Sequence, residues 1–271
     1  MRSVLRDVYA DVAVRSDDTE RRFFSRVKLR SGVFKTTESH RLDDVNRLAA
    51  QLLPDKRPLE LMDVAISSGI TTLEWSQQLT AAGIAHHLVA GDSNIEGEWL
   101  SFAGVDVLLD GDRREVLFAD LFGRGVDVSG SSIRAALAMR AIRMLARASR
   151  PLRLRVRHVE LVTPRLRECP TVSVIEDDIF TRRKELTGRF DAVRAANILN
   201  RHYFDDAQIR AAVANLRNRL RPDGLLIVCR THDDGTNHGA FLRRASNGWV
   251  VVARIGDGSE IEDLIDSEPE E

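Results

Sequence analysis

Apolar residues recur in two rhythms along the chain. In "RLDDVNRLAAQLLP", Leu42, Val45, Leu48, Ala49 and Leu52 stand at helical spacing and Pro54 follows, so the pattern predicts a helix with one covered face and a stop. Further on, short apolar runs alternate with helical stretches: "ELMDVAI", then "TTLEWSQQLTAAG", then "HHLVAGD". That alternation builds βαβ units, and therefore a parallel sheet with helices on its faces. It resumes at residue 171. "TVSVIEDDIF" reads as a third strand, "FDAVRAANIL" as a fourth, "DDAQIRAAVANLRNRL" as a helix capped by Asp205 or Asp206, and "GLLIVCRT" as a fifth strand. "RPDG" is expected to close the helix before it. Asn247-Gly248, between two strand-like runs, marks a hairpin, so the parallel sheet ends in antiparallel strands.

Between the second and third strands lie residues 93–170, far more than the roughly dozen a crossover requires. They read as an insertion of hairpin and helix. "GVDVLLDGDRREVLFADLFG" turns near Gly111-Asp112, and "SSIRAALAMRAIRMLARASR" has Ile133, Leu137, Met144, Leu145 and Ala148 along one stripe, with Arg140, Arg143, Arg147 and Arg150 along a neighbouring one. The expected organisation is a helical cap over 1–55, an α/β domain over 56–256 carrying that insertion, and a mobile acidic tail over 257–271.

Composition narrows the function. The 40 Lys and Arg balance 41 Asp and Glu, so no overall field recruits nucleic acid. The charge is uneven: residues 131–170 hold ten arginines against Glu160 and Glu168. Such a segment suits an anionic acceptor or lipid, an acidic partner face, or plain solvent. Nucleic acid is not expected, because no aromatics accompany the arginines to stack on bases. Two distant cysteines, Cys169 and Cys229, fit a reducing compartment, and the charged N-terminal residues do not form a signal peptide. The expected location is cytoplasmic.

The loop after the first strand reads "DVAISSGITT", with Gly69 its single glycine. A dinucleotide fingerprint laid on it places Ile70 where the third glycine must admit close helix packing, which argues against NAD and an oxidoreductase. The other register, acidic-x-G-x-G-x-G, falls on Asp63, Ala65, Ser67 and Gly69. Here the chain resembles the class I S-adenosylmethionine-dependent methyltransferases, over residues 58–92 and 171–256. Ala65 and Ser67 depart from the motif but stay small. The resemblance implies a Rossmann-like, doubly wound, mostly parallel sheet and S-adenosylmethionine as cofactor. It implies a ribose-binding role for Asp92, which lies 23 residues past Gly69 at the end of "VAGD". It implies that Asp178 meets the adenine amino group while Ile179 packs on the ring, with Asp177 the competing choice.

The sulfonium methyl of this cofactor is already activated, so the protein has to align a nucleophile and exclude water, and no fixed triad is required. After the fourth strand comes "AANILNRHYF", where the family places residues facing the methyl group. Asn197 and Tyr203 are nominated there, Asn197 also as a cofactor contact. The stretch resembles "RN-x-x-x-YF" of chemotaxis-receptor methyltransferases, but its Asn-to-Tyr spacing is two residues longer, so glutamate methylation is not carried over. His202 is a candidate general base, against a surface histidine beside Arg201. Arg230, Thr231 and His232 are candidates for the acceptor pocket. A metal at His232 and His238 is not expected, since no helix holds both on one face. The expected function is methyl transfer to an oxygen or nitrogen of a small-molecule or lipid acceptor, with the insertion placed to roof the pocket. The alternative is a non-catalytic scaffold that keeps the fold.

Overall fold

A computed structural model describes residues 4–9, 16–28, 35, 38–54, 58–112, 115–126, 128, 137, 139–144 and 156–265. They form two compact units, Met1–Glu38 with Asn94–Pro164, and Ser39–Ser93 with Arg165–Glu271. The single N-terminal cap expected over 1–55 is therefore divided. Helices α1 (Val4–Tyr9) and α2 (Asp17–Phe24) belong with the insertion, while α3 (Asp43–Leu52) belongs with the parallel sheet. The reason is core chemistry. Leu5, Val8, Phe23, Phe24 and Val27 bury against Trp99, Leu108, Leu117, Phe118 and Leu161 of the insertion, whereas Val45 and Ala49 of α3 join Leu59, Leu61 and Trp75.

In the larger unit, β1 (Leu59–Val64) leads through α4 (Ile70–Ala81) to β2 (His86–Asp92). All but one residue of β1 and of β2 are buried, as in a parallel sheet covered on both faces. In the smaller unit the insertion is more than a hairpin and helix. β3 (Glu96–Phe102), β4 (Val105–Asp110), β5 (Val116–Leu121), β6 (Arg124–Gly125) and β7 (Val156–Glu160) form an antiparallel sheet in the order β6-β5-β4-β3-β7. The expected β4–β5 hairpin is present. β3 and β7 had no counterpart in the sequence reading; β7, "VRHVE", is polar and has no buried residue. The apolar stripe also shifts: Leu137 and Met144 are exposed, and Met139 and Ile142 are buried against Leu100, Val107, Leu109 and Ala119. Ile133, Leu145, Ala148, Arg147 and Arg150 lie outside the described residues.

The larger unit continues through α5 (Pro164–Glu168), β8 (Val172–Glu176), β9 (Phe190–Ala196), α6 (Asp206–Arg219), β10 (Leu220–Thr231), β11 (Asn237–Arg244), β12 (Trp249–Ile255) and α7 (Glu262–Ile265). Its sheet runs β12-β11-β10-β9-β1-β2-β8. The five strands from β8 to β10 are parallel, and β11 pairs antiparallel with both β10 and β12. Asp205 caps α6 in a reciprocal box with Gln208, which decides between the two candidate acids. The closing turn differs from expectation: Leu220 is extended, and Asp223 rather than Gly224 takes the left-handed backbone, at φ 62. The hairpin turns at Gly248 as expected, with φ 91. The tail is corrected as well. Ile261, Leu264 and Ile265 are buried in the main core, because their spacing of three and four gives even a one-turn helix an apolar face; residues 266–271 lie outside the description.

Candidate functional site

Strand order reverses at β1, whose neighbours are β2 on one side and β9 on the other. The crevice at the carboxyl ends of such strands is where doubly wound sheets bind ligands. Three segments meet that edge: the loop 63–69, the ends of β2 and β8, and the chain leaving β9.

The loop answers its own shortage of glycine. Ala65, Ser67 and Gly69 all have left-handed backbone, with φ 55, 58 and 77. The acidic-x-G-x-G-x-G register is thus kept in conformation at the three positions where two glycines have been replaced. Each non-glycine residue there costs on the order of 1–2 kcal/mol, so the surroundings must hold the loop. Asp92 does so from the end of β2, accepting the Ser67 N–H at 2.8 Å, while the Ile66 N–H donates to Gly91 O at 3.2 Å. Gly69 has a steric reason of its own: an added Cβ would lie 2.6 Å from Leu166 Cδ2.

Asp63 stands differently from its expected role at the ligand. Only 2% exposed, it takes Arg194 Nε at 3.0 Å and Nη2 at 2.5 Å and the Thr72 hydroxyl at 2.6 Å. Arg194, wholly buried, also donates to Asn46 Oδ1 and Thr71 O, and its guanidinium lies 4.4 Å from the Trp75 ring centroid. Asp63 therefore fastens β1 to β9, α3 and α4 from inside. Sequence reasoning missed this partner, although an arginine inside the apolar run "FDAVRAANIL" was its signal.

Asp177 and Asp178 separate in the same way. Asp177 turns inward to Arg219, at 2.6 Å; burial pushes its carboxyl above the usual range, and Arg219 offsets part of that. Asp178 is exposed and accepts the Phe180 N–H at 2.9 Å, and Ile179 beside it is buried. Asn215 of α6 fixes this turn by donating to Ile179 O at 2.7 Å and Thr181 O at 3.0 Å.

Asn197, left-handed at φ 61, accepts the Thr231 N–H at 2.7 Å. Thr231 donates to Asn237 Oδ1 at 2.8 Å, and Asn237 donates to Asp44 Oδ1 at 2.6 Å. The ends of β9, β10 and β11 are so joined to α3. Asn200 orders the next turn, accepting the N–H groups of His202 and Tyr203 at 3.0 and 3.1 Å. His202 is exposed. Tyr203, 48% exposed, begins an aromatic series: its ring is 6.3 Å from Phe204, which is 5.1 Å from Phe180. The turns after β8 and β9 thereby touch, and Phe180 and Phe204 are additions to the expected set. Arg230 pairs with Glu260 at 3.0 Å, and the His232 and His238 rings lie 4.4 Å apart. Among the described residues no group of three side chains is arranged to hold a metal.

No family model and no curated protein matches this chain. Most of the solved structures similar to it are methyltransferases. The CMeT domain of the citrinin polyketide synthase is 14% identical, with 84% of this chain and 42% of that one covered and a TM-score of 0.41. PH0226 protein from Pyrococcus horikoshii is 12% identical, covering 83% and 78% at 0.38. CalS10, an amino pentose methyltransferase from Micromonospora echinaspora solved with S-adenosylmethionine, is 17% identical, covering 77% and 59% at 0.34. This chain spans less than half the length of the citrinin synthase chain it matches. At these values the likeness carries no argument, and the fold rests on the strand order. The fold is Rossmann-like, five parallel strands followed by two antiparallel ones.

A cavity of about 570 Å³ lies at the opposite, amino-terminal edge of the sheet, lined by Gln51, Asp191, Asp223 and Arg243 among others. Asp191 there is engaged by Arg221 at 2.7 Å and Arg243 by the carbonyls of Leu52 and Asp223. It belongs to a separate place from the loop and Asp92. Among the described residues, no helix is long and apolar enough to cross a membrane, and Cys169 and Cys229 are both free thiols.

Proposed function

We propose that the protein binds S-adenosylmethionine at the carboxyl edge of the larger unit and catalyses methyl transfer to an oxygen or nitrogen of a small-molecule or lipid acceptor. The observation that carries this reading is the left-handed backbone at residues 65, 67 and 69 with Asp92 bound to the middle of it. The residues fit the cofactor. The loop keeps the shape its glycines would have given, and its replacements are no larger than Ala and Ser. Ala65, Ser67 and Gly69 would receive the aminoacyl end, Asp92 the ribose hydroxyls, and Asp178 with Ile179 the adenine.

When bound, the cofactor supplies a methyl group already activated as a sulfonium. The chain's part is to align an acceptor and keep water away. Asn197 and Tyr203 stand after β9 to do so, with Phe180 and Phe204 as an apolar wall and His202 the candidate for removing a proton.

A second reading is favoured by one observation, the consumption of Asp63 by Arg194: the unit keeps the fold as a scaffold and transfers nothing. Calorimetric titration with S-adenosylmethionine and S-adenosylhomocysteine separates the two. Micromolar binding of both supports the enzyme. A folded protein that binds neither leaves the scaffold, and binding of NAD instead removes both readings.

A further inference from the structure

Away from that edge, four side chains outside any role above form one hydrogen-bonded line. His86 Nδ1 lies 2.9 Å from Ile84 O, an acceptor only, so Nδ1 carries the hydrogen and Nε2 is left to accept. Ser76 Oγ is 2.8 Å from Nε2, 2.7 Å from Thr171 Oγ1 and 3.7 Å from Cys169 Sγ. Thr171 Oγ1 is 3.3 Å from Cys169 Sγ. The inner end of the line is buried, Ser76 at 0% exposure and His86 at 9%. Its outer end, Cys169, is partly accessible. Three donors and one terminal acceptor fix the direction: thiol to Thr171, Thr171 to Ser76, Ser76 to His86. If each hydrogen shifts one place, every donor still has a partner, the imidazole is protonated, and the sulfur accepts the Thr171 hydroxyl as a thiolate. No group is orphaned in either state, so the shift leaves no buried donor or acceptor unpaired.

We propose that Cys169 is a modification site for soft electrophiles, its thiol proton drawn through Thr171 and Ser76 to His86. The inference is independent of the methyl-transfer reading. With iodoacetamide, the sulfur forms a bond to the methylene carbon as the C–I bond breaks and iodide leaves. The thiol proton passes to Thr171 Oγ1, the Thr171 proton to Ser76 Oγ, and the Ser76 proton to His86 Nε2, which later returns it to water. Only the thiolate is an effective nucleophile, so assistance of this kind appears as rate.

The test is the rate of iodoacetamide labelling at neutral pH, followed by peptide mass spectrometry on the full chain. Cys229 serves as internal control, a thiol whose pKa burial pushes up to about 12. Native Cys169 is expected to label at least about tenfold faster than the same cysteine in the urea-unfolded chain, where it is an ordinary thiol. Ser76→Ala, which removes the hydroxyl that meets Thr171, Cys169 and His86, should bring the native rate to the unfolded one or below, as should His86→Gln. A native rate no faster than the unfolded rate overturns the proposal without any variant. An unchanged rate in folded Ser76→Ala overturns it equally.

Discussion

Asp63 and Asp92 stand near the carboxyl ends of neighbouring parallel strands, are buried almost alike at 2% and 7%, and are used in opposite ways. Asp63 faces Arg194, Thr72 and the ring of Trp75 beyond it, and is spent on joining four elements. Asp92 faces the loop itself and takes a main-chain N–H from its left-handed middle. The same split recurs one strand further, where Asp177 closes on Arg219 and Asp178 stays outside. A carboxylate at a strand end is thus not a ligand group by position. What packs opposite decides: Asp63 and Asp177 close on buried arginines, Asp92 holds the loop, and Asp178 is the exposed one.

Removing Arg194 should break the contrast most sharply. Arg194→Met leaves a buried carboxylate uncompensated and should cost about 3–5 kcal/mol in urea unfolding. Pairing it with Asp63→Leu should recover most of the loss, since an apolar replacement of a buried pair is often close to neutral. A double variant that folds and still binds S-adenosylmethionine would establish Asp63 as structural, and one that folds without binding would return it to the site. A smaller effect is expected from Asp92→Ala: affinity for S-adenosylmethionine should fall by about 1.5–3 kcal/mol through lost charge-assisted hydrogen bonds, roughly 10- to 150-fold. Its unfolding free energy should drop by only about 1 kcal/mol, for the bond to Ser67. Equal affinity in calorimetry would remove Asp92 from the site. Least of all, Ala65→Gly should relieve backbone strain of about 1–2 kcal/mol while adding about 0.4–1 kcal/mol of unfolded-state entropy. The expected gain is up to about 1 kcal/mol in thermal or urea unfolding, and a loss would mean that the Ala65 methyl is packed rather than strained.

The sequence by itself determined the larger unit. Alternating apolar runs and helical stretches specify βαβ units because side-chain period and burial are local properties, and the Asn247-Gly248 hairpin and the capped α6 follow from turn and cap chemistry within a few residues. The small residues at 65, 67 and 69 were legible as one register of a loop. Tertiary structure alone decided the rest. It drew residues 1–38 to the insertion, because Phe23 and Phe24 need an apolar sheet face that nothing nearby in sequence provides. It chose Asp177 over Asp178 for the interior, because Arg219 arrives from a helix 42 residues on. It withdrew Asp63 from the ligand edge, because Arg194 lies 131 residues away along the chain and bonds to it across adjacent strands. Periodicity records which face of an element is covered, and only the packed chain brings together the charges that meet there.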